Sequence, residues 1–124
     1  MRIALGQINT TVGDLAGNVE LMVQCARRAA EGAARLVVFP ELSLTGYPPW
    51  DLVEKPSFLE RTEDQLERLA RETAAIPCAI ICGYVGRAAA ATGKSATNSA
   101  AVIEGGHIVF RQTKMLLPTY DVFD

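Results

Sequence analysis

Residues 36–52 read LVVFPELSLTGYPPWDL, and the change of character part-way through this stretch decides the fold. Residues 36–39 are consecutive apolar side chains rich in β-formers. Such a run suits a strand covered on both faces, as in a parallel sheet flanked by helices. Pro40 has no amide hydrogen to donate to a ladder, so the strand is expected to stop there. Glu41 then stands where the chain leaves the core, ahead of a loop rich in Gly, Pro and aromatic residues. Ligands of open α/β sheets sit beyond the carboxyl ends of their strands. Glu41 is therefore a candidate functional carboxylate, the plainer alternative being a turn cap or the partner of a surface lysine.

Working outward, RIALGQIN (2–9) predicts a first strand. Val19, Met22, Val23, Ala26, Ala30 and Ala33 recur at helical spacing over 18–34, with Asn18 as N-cap and Glu20 near the positive end of the dipole. Downstream, Ser57 and Glu60 form an S-x-x-E capping box behind Pro56. Leu59, Thr62, Leu66, Leu69 and Thr73 line one face of that second helix, with Glu63, Asp64, Glu67, Arg68 and Arg71 on the other. CAIICGYV (78–85) predicts another buried strand, 86–96 a surface loop, and 98–114 a hairpin turning at Gly105-Gly106, where glycine supplies the positive φ of a two-residue turn. The order β-α-β-α-β-β points to a layered α/β fold. The ending KMLLPTYDVFD brings apolar Leu116, Leu117, Val122 and Phe123 with no terminating signal, and the expectation is of a chain that continues.

Composition narrows the classes. The 124 residues are 49% hydrophobic and 21% charged, with a mean hydropathy of +0.15, which befits one globular domain at most. A net charge of −2 and a pI near 5.4 offer no basic field for nucleic acid or anionic lipid. No apolar run is long enough for a membrane helix, and MRIALGQINT is not built as a signal peptide. Three cysteines, Cys25, Cys78 and Cys82, are too few for a disulfide framework, so a reducing, cytoplasmic setting is expected.

Lys114 closes the second arm of the hairpin. Alone it reads as a solvated edge residue that discourages aggregation. Paired with Glu41 in a secluded site, each would shift the other's proton affinity, one moving a proton while the other steadies an oxyanion. The cysteines fall on an amphipathic helix and on one face of a core strand, where free cysteine is ordinary filler. A zinc site lacks ligands, since the single histidine, His107, lies beside the hairpin turn. Gly93-Lys94-Ser95 is no phosphate loop: Ala88 stands where the earlier glycine belongs, and a strand follows where a helix is needed.

Several stretches carry a resemblance: IALGQIN, GD-x-x-GN (13–18), VVFPEL, TGYPPWDL, ICGY, the NSA that opens the hairpin, and K-x-x-LP-x-YDVFD. Together they resemble the carbon–nitrogen hydrolase (nitrilase) superfamily, and YPPWDL with LPTYDVFD is most similar to the amino-terminal glutaminase domain of glutamine-dependent NAD synthetases. The resemblance implies a nitrilase-like αββα four-layer sandwich, of which residues 1–124 supply roughly the first half. It implies Glu41 as general base, Lys114 as catalytic lysine, Tyr120 as a wall of the glutamine pocket and Tyr47 as another. It implies a cysteine nucleophile beyond Asp124, so that this piece by itself would not turn over glutamine. No cofactor is implied for the glutaminase chemistry, ATP and Mg belong to a separate synthetase domain, and the full-length protein would be a homo-oligomer. Two other readings are a stand-alone amidase or carbamoylase, and a non-catalytic fragment that self-associates through an unfinished sheet.

Overall fold

The computed structural model describes residues 1–47, 50–53, 55–87 and 96–114. Its elements run β1 (Ile3–Leu5), α1 (Leu15–Glu31), β2 (Leu36–Val38), α2 (Trp50–Val53), α3 (Pro56–Glu72), β3 (Ala79–Arg87), β4 (Ala96–Glu104) and β5 (His107–Thr113). The strands form one sheet in sequence order, β1-β2-β3-β4-β5. The first three are parallel, as helical crossovers require, and the last three antiparallel.

Alternation along the strands gives the sheet two different faces. On one, Val37, Ile80, Cys82, Ala101 and Ile103 are sealed at 0–1% exposure. They pack against Val19, Met22, Val23 and Ala26 of α1 and Leu66, Leu69 and Ala70 of α3. The other face carries an apolar row, Leu5–Val38–Ile81–Val102–Phe110, aligned by the strand register. Its ends are open, Leu5 at 71% and Phe110 at 56% exposure. The expectation that 36–39 would be covered on both faces therefore holds on the helix side alone.

The helices begin earlier than their cap signals suggest. Asp14, not Asn18, caps α1, its carboxylate accepting from the Gly17 amide. Asn18 is inside the helix and buried. At α3, Pro56 occupies the first turn behind Lys55, and no side chain caps it. Proline's fixed φ starts the helix ahead of Ser57, so the expected capping box does not form. The short helix α2 falls in what reads as loop. The hairpin turn is as expected, with Gly105 and Gly106 at φ 61° and 88°.

Candidate active site

Pro40 does not end the pairing of β2 with β3; it interrupts it. The Phe39 amide donates to the Ile81 carbonyl at 2.9 Å, and the Leu44 amide to the Gly83 carbonyl at 2.9 Å. Residues 40–43 are thus a looped-out excursion between two ladder bonds, closed by a Ser43 amide bond to the Pro40 carbonyl at 3.2 Å. Leu42 sits at φ 55°, a left-handed conformation that costs a non-glycine residue about 1 kcal/mol. The excursion lies on Gly83: a Cβ there would stand 2.3 Å from the Leu42 nitrogen. Only a glycine lets the two backbones meet so closely, and its amide donates to Ser43 Oγ at 3.2 Å.

The far side of this loop is held by the GD-x-x-GN stretch. Asn18 Nδ2 donates to the carbonyls of Thr11 and Leu44, each at 2.9 Å, while its Oδ1 accepts from the Thr11 amide at 2.9 Å. The Gly13 amide donates to the Thr45 carbonyl at 3.0 Å. A buried amide that satisfies three backbone groups fixes both loops at once.

The hairpin brings the second half of the site. A register shift lies between Val102 and Ile103: Ile103 pairs with Ile108, but Val102 with Phe110. Val109 is the extra residue, and beyond it every β5 side chain changes faces relative to a regular hairpin. Lys114 consequently lies beside Asn98 on the face where the excursion stands, its amide donating to the Asn98 carbonyl at 2.8 Å. Lys114 Nζ reaches Glu41 Oε1 at 2.9 Å across 73 residues of sequence. Asn98 Nδ2 donates to the same oxygen at 2.5 Å. The predicted pair meets. It is not the secluded pair expected, however, because each side chain is 53% exposed. The excursion lifts the carboxylate off the sheet, and an ion pair so exposed adds about 0–1 kcal/mol to stability.

A cavity of about 390 Å³ opens here, lined among others by Pro40, Glu41, Gly83, Asn98, Gln112 and Lys114. A carboxylate and an ammonium at the mouth of such a cavity can shuttle a proton and stabilise a developing oxyanion. Cys82 reaches the cavity wall, but its side chain belongs to the core cluster. Burial pushes its thiol up to about 12, and burial with the neighbouring Cys25 raises that of Cys78. Neither supplies the thiolate a nucleophile needs. Among the described residues no cluster fit to hold a metal ion occurs, and His107 is exposed beside its turn. Tyr47 is 54% exposed at the end of the 41–47 loop. Tyr120 and the Gly93-Lys94-Ser95 stretch lie outside the described residues.

Asn98 is the site residue that sequence reasoning missed; its signal was the NSA stretch, which opens the hairpin and carries part of the family resemblance but was given no role in the site. With this geometry in view, the family model for carbon-nitrogen hydrolase matches residues 2–123. This chain belongs to the carbon-nitrogen hydrolase family. Among relatives of this family member, the glutamine-dependent NAD(+) synthetase of Synechocystis sp. is 46% identical over 125 residues, which cover 98% of this chain and 22% of that protein. That of Thermotoga maritima is 36% identical over 124 residues, covering 100% and 21%. The chain thus spans about a fifth of the length of these relatives. A solved glutamine-dependent NAD+ synthetase from Acinetobacter baumannii superposes with a TM-score of 0.78 at 30% identity, covering 98% of this chain and 22% of its own. An amidase from Nesterenkonia sp. shares the fold, with a TM-score of 0.75 at 24% identity over 97% of this chain and 44% of its own.

Proposed function

We propose that residues 1–124 are the leading part of a single glutaminase domain in a glutamine-dependent NAD synthetase, and that Glu41 and Lys114 are two of its catalytic residues. Glu41 accepts the proton of a cysteine thiol contributed by the rest of the domain. The thiolate attacks the side-chain amide carbon of glutamine, and Lys114 stabilises the oxyanion of the tetrahedral intermediate. Glu41 returns the proton to the nitrogen, ammonia leaves, and a glutamyl thioester remains. Glu41 then takes a proton from water, which cleaves the thioester to glutamate and restores the thiol. Tyr120 and Tyr47 wall the glutamine pocket. The ammonia serves a separate ATP- and Mg-dependent domain that amidates nicotinic acid adenine dinucleotide to NAD, in a homo-oligomeric, cytoplasmic protein. The 124-residue piece does not hydrolyse glutamine by itself on this reading, since Cys25, Cys78 and Cys82 all pack into the helix-side core, away from the face that carries Glu41.

The observation that carries this reading is the 2.9 Å contact between Lys114 Nζ and Glu41 Oε1. In the full-length protein, Glu41→Gln and Lys114→Ala are each expected to lower glutamine-driven NAD formation by about 1,000-fold. NAD formation from supplied ammonium should stay unchanged. Near-native glutamine-driven rates in either variant would overturn the assignment. Turnover of small amides without any ammonium-supported NAD formation would favour the stand-alone amidase.

A further inference from the structure

We infer that Asn98 is a positioning residue that holds the Glu41 carboxylate and the Lys114 ammonium against each other; this rests on the reading of the site given above. Asn98 touches both partners, by different groups. Its side-chain Nδ2 donates to Glu41 Oε1, and its backbone carbonyl accepts from the Lys114 amide. Next to a carboxylate the amide must present its NH2 end, so chemistry settles the orientation. Lys114 Nζ closes the ring on the same Oε1. Two donors on one oxygen constrain the direction of the carboxylate more narrowly than one flexible lysine does.

Burial divides the labour. Glu41 and Lys114 are each 53% exposed, and long exposed side chains lose rotamer entropy when held in one geometry. Asn98 is 6% exposed, anchored mid-sheet between Val85 and the Lys114 strand. Its row neighbour Val85 is 1% exposed and packs in an apolar cluster with Leu42, Phe58 and Leu59, so the surroundings on that side are apolar. A buried amide is costly there unless its hydrogen bond is made, and the partner it makes it with is the proposed base. Core stability alone does not call for that choice.

The test uses the full-length protein with Asn98→Asp, which keeps the shape and the backbone bond but replaces the donor by an acceptor, and Asn98→Ala as a second variant. We expect kcat for glutamine to fall about 100-fold, the scale set by a misplaced catalytic group. KM should stay within about 2-fold, because Asn98 acts through Glu41 and not on the substrate. Ammonium-supported NAD formation should be unchanged for Asn98→Asp, while Tm should fall modestly because a carboxylate then faces Glu41 at a buried position, so kcat is taken per folded molecule. A native kcat in both variants, a raised KM with native kcat, or a loss matched by the loss of folded protein would overturn the inference. Glu41→Gln run alongside separates the two failures: if it is inactive while Asn98→Asp is normal, only the role of Asn98 falls. If Glu41→Gln is itself active, the reading of the site falls.

Discussion

The two faces of the sheet are built from alternate residues of the same strands, yet they differ in what they bear. The helix-side row Ala4–Val37–Ile80–Ile103–Ile108 is closed over by α1 and α3. On the opposite face the apolar row ends at exposed Leu5 and Phe110, and two rows further on come Val85, Asn98 and Lys114. One face is committed to excluding water; the other has positions to spare for charge. A carboxylate among Ile80 and Leu66 would need a buried partner or would have to take up a proton. Set on an excursion over Gly83, the same group remains hydrated, and the excursion is fixed both by backbone bonds and by Leu42, which is buried with Leu15, Val53, Phe58, Leu59 and Val85.

The sharpest way to break this comparison is to damage one face and read the other. Ile80 is fully buried in the helix-side core, and Ile80→Ala is expected to cost about 3 kcal/mol of stability. Activity per folded molecule should not change. Denaturant melts of the full-length protein, with glutaminase rates below the transition, measure both. A loss of rate with stability intact would mean that the faces are not independent. Gly83→Ala is the reverse experiment. Its Cβ would meet the Leu42 nitrogen at 2.3 Å, so the excursion carrying Glu41 must move, and kcat should fall about 100-fold with a smaller loss of Tm. Native kcat in Gly83→Ala would show that the excursion yields elsewhere without shifting the carboxylate.

Much of this was legible beforehand because it is local. The buried strand through Cys82, the apolar face of α3 and the Gly105-Gly106 turn each follow from a short pattern of side chains. So did the candidacy of Glu41, from a proline and a glutamate at the end of an apolar run, although pairing that resumes at Leu44 was not visible in that signal. The cap positions depart from expectation where two local signals compete: Pro56 at the first turn outranks Ser57, and Asp14 caps α1 ahead of the Asn18 signal. The role of Asn98 was hidden for a different reason. Counting outward from Glu104–His107 as a regular hairpin places Thr113 opposite Asn98 and turns Lys114 to the helix side. The register shift at Val102/Ile103 reverses that, and nothing in IEGGHIVF announces a bulge.

The weakest expected effect sits on the helix side, where Arg111 bridges the hairpin to α3. Arg111 Nη1 and Nη2 meet Glu63 Oε1 at 2.9 Å and Oε2 at 2.5 Å, a two-pronged pair, and Nη1 also reaches the Tyr84 hydroxyl at 3.3 Å. The hydrogen bonds from Arg111, and secondarily its charge, hold the Glu63 carboxyl below its ordinary value against the opposing effect of burial. A carboxyl whose folded value is depressed takes up fewer protons folded than unfolded between the two values. Its stabilisation is present above the unfolded value and lost as pH falls through the folded one. The Glu63 side chain is 44% exposed, so solvent screening limits the contribution to about 0.5 kcal/mol or less. Arg111→Gln should therefore lower stability by that amount at pH 7 and flatten its decline below pH ~4.5, leaving glutaminase kcat unaltered. Melts of the full-length protein from pH 7 down to pH ~3.5 read the difference. A kcat loss in Arg111→Gln comparable to that of Gly83→Ala would tie the helix-covered face to the chemistry and end the separation of the two.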